Sequence, residues 1–500
     1  MNNRFEMVAK TFQGLETVLA KELEALGAED IEIGRRMVAF TGGKELMYRA
    51  NFCCRTALRI LKPIYKFKAT DAEALYDVVK GFDWERVFTS EQTFSIDSTV
   101  YSDEFRHSKF VTYKVKDAIV DYFNEKYGKR PSVRISNADI MLNIHIAGDQ
   151  VTISQDSSGE PLHKRGYRVA QTEAPINEVL AAGLIMMTGW KGDSNLIDPM
   201  CGSGTFLIEA ALIGANINPG VFRSSFAFER WSDFDRELFD SIYNDESAES
   251  DFQFKIYGSD ISPKAIDIAT KNIKQAGVSK YIDLSIRPIQ SYEEAPENAM
   301  LITNPPYGER ISVEDMEALY ESIGDRFKKI FRGYNAWVIG YKNELFDKIG
   351  LKPSVKYPIL NGALECELRQ YVIFDGKYND FRRDGGSVKN DKFTRDGNKV
   401  VMKNDYDKAR PFRASSDAPR GGGRDKFRSS DSRKPRNPLE ERYQKSEPRR
   451  FREDGERGER KFEPREERGF ERKFDRGSDR GERKFEPREP REGGERRVRE

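Results

Sequence analysis

The sequence predicts an α/β protein: an open α/β sheet, preceded by two smaller α+β units and followed by a basic tail. Three observations lead to this. Apolar strands end in Asp198, Asp260 and Asn304, and helices are predicted after the first two. Strands and helices alternate upstream of them, and aliphatic residues nearly vanish after Phe374. The predicted boundaries are residues 1–62, 63–159, 160–375 and 376–500.

The first unit contains a strand, a helix, a hairpin and a second helix. The expected elements are a strand at Phe5–Thr11, a helix at Leu15–Leu26, strands near Ile31–Arg35 and Met37–Phe40, and a helix near Glu45–Leu61. This unit shows no residues with evident chemistry.

The second unit has a helix with one basic side. Alternation predicts a strand at Phe94–Val100, periodicity predicts a helix at Ser108–Tyr127, and two more strands follow across the turn at 148–149. The basic residues on and after the helix include Lys109, Lys114, Lys116 and Arg130. Such a side either binds phosphates or is simply solvated.

Charge is divided unevenly along the chain. Residues 376–500 hold 39 Lys and Arg against 28 Asp and Glu, which leaves 45 and 55 in residues 1–375. The tail repeats ERKFEPRE and lacks the apolar surface that a core requires, so we expect it to be disordered. A basic segment with interspersed aromatic residues suits loose RNA contact, and solubilisation is the alternative.

Cysteine and histidine usage excludes several classes. Cys53 and Cys54 are adjacent and the other two cysteines are scattered, so we expect the protein to reside in a reducing compartment, the cytoplasm. The three histidines and four cysteines have no ligand spacing, which argues against a metal site. The first residues lack a signal-peptide pattern, and no apolar run is long enough to cross a bilayer.

A glycine turn follows the strand that ends in Asp198. Gly202 and Gly204 permit backbone N–H groups to approach a ligand at the start of the next helix. Leu207 occupies the position of the third glycine of a dinucleotide fingerprint, which disfavours a nicotinamide oxidoreductase. Cys201 is more easily explained as a small buried residue than as a nucleophile, because no His or acid accompanies it.

The stretch LITNPPYG places an amide and two prolines after the strand that ends at Thr303. Proline fixes its own φ and favours extended geometry before it, so Asn304-Pro305-Pro306 is a stiff corner. The Asn304 Oδ1 and the Pro305 carbonyl can accept both protons of a planar NH₂ group. Tyr307 can stack on the ring that carries this amine. Holding an amine in line with an electrophilic methyl group is most of what methyl transfer requires.

Four separated motifs resemble one family. DPMCGSGT, NPPYGER, SGEPLHKRGYR and LNGALECEL are similar to motifs of the THUMP-containing guanine-N2 RNA methyltransferases, especially the bacterial enzymes of 23S ribosomal RNA. The resemblance covers residues 1–375. It implies a Rossmann-like class I methyltransferase domain preceded by ferredoxin-like and THUMP domains. It also implies S-adenosylmethionine as cofactor, and RNA, free or in an assembling large subunit, as partner.

The resemblance assigns roles to named residues. Asp198, Gly202 and Gly204 would line the methionine part of the cofactor, Asp260 would hold the ribose, and Arg165–Tyr167 with Ala174–Asn177 would close over cofactor and RNA. The candidate cofactor site comprises Asp198, Cys201, Gly202, Gly204, Thr205, Asp260, Ile261, Gln290 and Asn304. The candidate catalytic residues are Asn304, Pro305, Pro306 and Tyr307. The candidate RNA contacts are Lys109, Lys114, Lys116, Arg130, Arg165 and Tyr167.

Two departures from the family pattern stand out. The acid that follows the third strand in relatives is replaced by Pro288, so the backbone near Ile289, or Gln290, would have to contact the adenine. Some bacterial 23S enzymes carry a second, C-terminal methyltransferase domain, and no second glycine-turn strand occurs here. We therefore expect one chemistry. The alternatives are an adenine-N6 methyltransferase, a tRNA guanine-N2 methyltransferase and a non-catalytic RNA-binding assembly factor.

Overall fold

The computed structural model describes residues 4–306, 313–341, 344–362, 364–376, 378–396 and 399–403. These residues belong to one compact unit that is built on two large sheets. Within the described residues, no helix is long and apolar enough to cross a membrane.

The first sheet has eight strands in the order β2-β3-β1-β4-β8-β7-β5-β6. The strands are β1 (Phe5–Lys10), β2 (Glu29–Gly34), β3 (Met37–Gly42), β4 (Arg59–Lys68), β5 (Thr93–Tyr101), β6 (Ser132–Val133), β7 (Ile140–Ala147) and β8 (Gln150–Asp156). The helices are α1 (Glu16–Ala25), α2 (Lys44–Cys53), α3 (Ala72–Lys80) and α4 (Ser108–Tyr127). The strands are antiparallel, except that β5 runs parallel to β6 and β7.

Strand β4 joins the two predicted α+β units into a single sheet. It pairs with β1 at one end and with β8 along most of its length. The predicted helix over Glu45–Leu61 is therefore too long, because α2 ends at Cys53 and the chain is extended from Arg59. In this segment Ile60 belongs to the core of the first sheet and Leu61 is buried, and both are placed by strand pairing rather than along a helix face.

The second sheet has seven strands in the order β11-β10-β9-β12-β13-β15-β14. The strands are β9 (Asn195–Asp198), β10 (Ile256–Asp260), β11 (Ile282–Ile286), β12 (Ala299–Thr303), β13 (Asn335–Tyr341), β14 (Val355–Asn361) and β15 (Leu364–Val372). The helices are α5 (Glu178–Thr188), α6 (Thr205–Gly214), α7 (Arg236–Tyr243), α8 (Pro263–Gln275), α9 (Val313–Lys329), α10 (Leu345–Lys348) and α11 (Tyr378–Arg383). The first five strands in this order are parallel, and β14 and β15 are antiparallel. Strand order reverses between β9 and β12, which is where ligands bind in open parallel sheets.

The insertion at residues 216–250 packs against the first sheet's helices. Phe226, Phe228 and Phe239 share a core with Tyr48 and Phe52 of α2. The Tyr48 and Phe228 rings are stacked, with centroids 4.4 Å apart. The insertion thus packs the half of the molecule that contains the second sheet against the half that contains the first sheet.

Ordered structure continues past the predicted start of the tail at residue 376. A hairpin of β16 (Phe393–Asp396) and β17 (Lys399–Met402) follows α11. Phe393 is buried, with ring centroids 6.1 Å from Trp337 and 5.5 Å from Tyr357. The boundary at residue 375 is therefore too early. Residues 404–500, which include most of the predicted tail, lie outside the described residues.

Candidate functional site at the ends of the parallel strands

The three polar strand ends lie at one edge of the second sheet. Strand β9 is central, with Gly258 of β10 paired to Asp198 and Leu301 of β12 paired to Ile197. Because all three strands are parallel, Asp198, Asp260 and Asn304 meet at the same edge, as the sequence predicts. Asp198 and Asn304, which are more than a hundred residues apart in sequence, therefore lie at one edge.

Asp198 is buried behind this edge. Thr303 Oγ1 donates a hydrogen bond to its Oδ1 at 2.7 Å, and the Met200 amide donates to the same oxygen at 3.1 Å. Burial raises the pKa of Asp198 to about 7, and the nearby Asp260 charge adds to the shift. Asp198 therefore ties β9 to the last residue of β12.

The glycine turn is held against the end of β10. The Cys201 amide donates to the Ser259 carbonyl at 2.8 Å, and the Gly202 amide donates to Asp260 Oδ2 at 3.0 Å. Gly202 has a φ of 54°, and a Cβ added to it would meet no atom within 4 Å. The turn therefore leaves open space beside a carboxylate, directly before Thr205 at the start of α6. Burial raises the pKa of the Cys201 thiol well above its usual range, which agrees with a packing role.

The residues expected near an adenine lie beyond Asp260. Asp260 Oδ1 accepts from the Ser262 amide at 2.9 Å. The intervening Ile261 is 71% exposed, a large apolar side chain left free beside a carboxylate. Pro288 precedes a short 3₁₀ turn in which Ile289 is buried and Gln290 is exposed. An exposed apolar side chain next to a carboxylate is a surface on which a nucleoside can bind.

The corner after β12 carries an unsatisfied acceptor. Asn304 Oδ1 is buried and has no hydrogen-bond partner within the described part of the chain. Pro305 is buried and Pro306 half-buried, so the corner is packed in place. A buried acceptor without a partner costs about 1–3 kcal/mol, and a ligand N–H would recover this. Tyr307 lies outside the described residues, and its predicted stacking role stays a prediction.

Two positioning residues were missed from the sequence. Arg168 donates to Glu178 Oε1 at 2.6 Å, to Ser203 Oγ at 3.0 Å and to Thr205 Oγ1 at 2.9 Å. Asn272, fully buried on α8, bonds the backbone of Val169, Ala170 and Ser203; its Nδ2 is 3.1 Å from the Ser203 carbonyl. Both residues therefore clamp the glycine turn to segment 168–170. Their partners lie up to 103 residues away in sequence, and no local pattern reports them.

The structure does not support direct RNA contact by Arg165 and Tyr167. Both side chains are buried and both bond Glu209 of α6, with Arg165 Nε at 3.4 Å and the Tyr167 hydroxyl at 2.8 Å from Oε1. Arg165 also donates to the Arg55 carbonyl at 2.5 Å. Arg165 thus bonds the amino-terminal half of the molecule, and neither side chain faces solvent.

The basic side of α4 is largely neutralised. Lys114 pairs with Glu73 at 2.8 Å and Lys116 with Asp117 at 2.5 Å. Lys109 and Arg130 are exposed. RNA contact by these four residues stays a prediction.

Comparison with protein families finds three matches in chain order. Residues 6–61 match the RlmL ferredoxin-like domain, residues 69–156 the THUMP domain, and residues 165–370 the domain described as UPF0020: RMKL-like, methyltransferase. They confirm the predicted order of domains.

Known proteins and solved structures that are similar to this chain are also described as methyltransferases or methylases. The chain is 40% identical to a putative RNA methyltransferase, slr0064, of Synechocystis, over 73% of this chain and 96% of that protein. It is also 40% identical, over 73% of its length, to a Psychromonas ingrahamii ribosomal RNA large subunit methyltransferase K/L, but it covers only 49% of that protein. The chain thus spans about half the length of such K/L relatives. A putative methyltransferase, SMU.472, solved with SAH, is 32% identical with a TM-score of 0.67, over 75% of this chain and 100% of that one. A possible methylase of Clostridium difficile 630 gives 33% and 0.68 over the same shares.

Proposed function

This chain belongs to the RMKL-like methyltransferase family, and on that premise we propose that it methylates the exocyclic N2 amine of a guanine in RNA, specifically in 23S ribosomal RNA. The relatives named ribosomal RNA large subunit methyltransferases and the match to a THUMP domain support RNA as substrate. The choice of guanine N2 comes from the resemblance of the motifs and from the amine-accepting corner at Asn304.

S-adenosylmethionine is the methyl donor. The residues present fit it: Asp260 stands where the two ribose hydroxyls would bond, the space beside Gly202 is open, and Ile261 offers an apolar face to the adenine. When bound, this cofactor supplies a methyl group on a positively charged sulfur. The glycine turn is already fixed by Asp260, Arg168 and Asn272, so little rearrangement is needed to accept it.

In the reaction, the role of this chain's own residues is to orient the amine. Asn304 Oδ1 would accept one N–H of the base and the Pro305 carbonyl the other, which aims the nitrogen lone pair at the methyl group. Neither oxygen is basic enough to deprotonate the amine before attack. The proton leaves after the nitrogen has been methylated and passes to solvent. Thr303, bonded to buried Asp198, holds the corner in place from behind.

One observation carries the proposal: the buried Oδ1 of Asn304 that lacks a partner among the described residues, at the strand end next to the glycine turn. A structural asparagine at such a corner would use this oxygen to bond the backbone. An acceptor kept unsatisfied on a rigid double-proline corner is suited to an N–H that arrives with the substrate.

The test is nucleoside mass spectrometry of 23S ribosomal RNA from a strain that lacks the gene. We expect one N2-methylguanosine to disappear and the wild-type chain to restore it. Asn304→Ala should fail to restore it, with transfer slowed by about a hundredfold or more. The exposed Asn244→Ala is the matched control and should restore the mark.

Other outcomes identify the alternatives. Loss of N6-methyladenosine would favour adenine chemistry; one structural neighbour, from Listeria monocytogenes, is titled a predicted N6-adenine-specific DNA methylase. Loss of a methylated guanosine from tRNA alone would show that the substrate is tRNA and not ribosomal RNA. If Asn304→Ala rescues every phenotype of the deletion, the chain acts as a non-catalytic assembly factor.

A further inference from the structure

A cleft of about 1110 Å³ lies between the THUMP-matching part and the methyltransferase domain. Three segments form its walls: residues 135–141, residues 158–178 and residues 222–230 of the insertion. Arg168, in the second wall, bonds Ser203 and Thr205 of the glycine turn. The cleft therefore extends from the THUMP-matching part to the back of the candidate cofactor site.

The lining of this cleft is basic although the body of the protein is acidic. Six Arg and Lys side chains line it, against two Glu. The basic residues are Arg59, Lys164, Arg165, Arg168, Arg223 and Arg230. Residues 1–375 as a whole carry 45 basic against 55 acidic residues, so this concentration departs from the average. Positive charge in a concave, low-dielectric surface attracts anions strongly.

Two of these cations are bonded to backbone carbonyls and not to acids. Arg223 donates to four carbonyls, at 2.9 Å for Glu160 and 3.0 Å for Lys164 among them, and its Nε is buried with no partner in the described part of the chain. Arg230 donates to the Ala138 carbonyl at 3.1 Å. Among the described residues, neither guanidinium has a carboxylate within the 4.0 Å that defines an ion pair. Burial, followed by the charge of Arg165, lowers the pKa of Arg223 to about 10.

Arg223 and Arg230 differ in this respect from the lysines of α4 and from the other four cations of the cleft, which have acidic partners. Lys114, Lys116 and Lys129 on or after α4 each have an acidic partner within 2.8 Å. Neutralised lysines on a convex helix attract a polyanion weakly. Arg223 and Arg230, which have no carboxylate partner among the described residues, have a greater need for an external anion, because partly buried cations without one carry an unrecovered desolvation cost.

We propose that the sugar–phosphate backbone of the substrate RNA lies in this cleft, held by Lys164, Arg223 and Arg230, and that the exposed side of α4 is secondary. This assignment rests on the proposed function, because it takes RNA as the substrate. It also explains how an acidic body binds a polyanion: basic side chains outnumber acidic ones in the lining of the cleft, and the cleft leads the RNA to the glycine-turn edge.

The test changes exposed cleft residues that hold nothing else in place. Ser225 is exposed, and the only salt bridge of Lys164 among the described residues is an exposed one to Glu160, so Ser225→Glu and Lys164→Glu should fold normally. Full-length chains are titrated with 23S ribosomal RNA from the deletion strain at several salt concentrations. We expect each variant to weaken binding about fivefold or more, and Lys164→Glu to lower the salt slope by about one. Lys274→Glu, an exposed control on α8, should stay within about twofold of wild type.

Affinity for S-adenosylhomocysteine, measured by calorimetry, should be unchanged in every variant. An unchanged affinity shows that the fold of the variant is intact. Wild-type RNA affinity in the Ser225→Glu/Lys164→Glu double variant overturns the proposal. So does a Lys109→Glu variant on α4 that weakens binding more than the cleft variants do. If the wild type binds RNA through the cleft but methylates no guanine N2, the proposed function fails and the cleft assignment stands. If it methylates guanine N2 and the cleft variants do so equally well, only the cleft assignment fails.

Discussion

At the end of β12, two neighbouring residues differ in their bonding. Thr303 donates to the buried carboxyl of Asp198, whereas Asn304 keeps a buried acceptor that no described residue satisfies. The sequence predicted the ends of β9 and β12, because a glycine turn follows β9 and two prolines follow β12. It could not predict that Arg165 and Tyr167 turn inward, because their partner Glu209 belongs to α6, more than forty residues later.

The buried carboxyl of Asp198 gives the fold a pH dependence. Burial raises its pKa to about 7, against about 3.9 for an unfolded Asp. The folded chain keeps a proton that the unfolded chain releases, so this group's contribution to stability falls as pH rises from about 4 to about 7. We expect Asp198→Asn to remove that loss, giving a flatter dependence of the urea midpoint between about pH 5 and about pH 7. The exposed Asp283→Asn is the control, and equal slopes for wild type and Asp198→Asn would contradict the prediction.

Secondary-structure elements were predicted well where periodicity was local and poorly where pairing was distant. The predicted bounds of α4 match the observed ones, and those of α1 match to within one residue at both ends. The predicted helix over 45–61 ran into β4, because only pairing with β1 and β8 makes residues 59–61 a strand. The β16–β17 hairpin was missed for another reason. Its FTRDGNKVVM pattern has a turn signal between alternating residues, but the charged composition around it favours disorder.

Phe393 tests whether this hairpin belongs to the methyltransferase domain. Its ring is buried near Trp337 and Tyr357, so Phe393→Ala should lower the free energy of unfolding by about 3–5 kcal/mol. A chain that ends at Lys403 should unfold like the full chain, and one that ends at Asp375 should be much less stable. Urea unfolding measures all three, with Phe110→Ala, at a half-exposed ring, as the control. Stability unchanged by Phe393→Ala would show that the hairpin is not packed in solution.

Over the whole molecule, the described domains are joined more extensively than their order in sequence indicates. The ferredoxin-like and THUMP matches share one sheet through β4, and the insertion of the methyltransferase domain completes the core around α2. Buried Arg165 adds a bond from the segment before α5 to the Arg55 carbonyl. The motifs predicted the domains, but these joints depend on strand pairing, aromatic packing and a hydrogen bond between residues far apart in sequence.

Such joints should make the described domains unfold together. Phe228 stacks on Tyr48 at 4.4 Å and lies 5.2 Å from Phe226, so its loss would open a cavity between two domains. We expect a single calorimetric transition for the full chain, and Phe228→Ala to lower its midpoint by several degrees without splitting it. The exposed Tyr113→Ala should leave the midpoint unchanged within about a degree. Two transitions in the wild type, or a Phe228→Ala effect on only one of them, would show that the halves fold independently and that the shared core does not couple them.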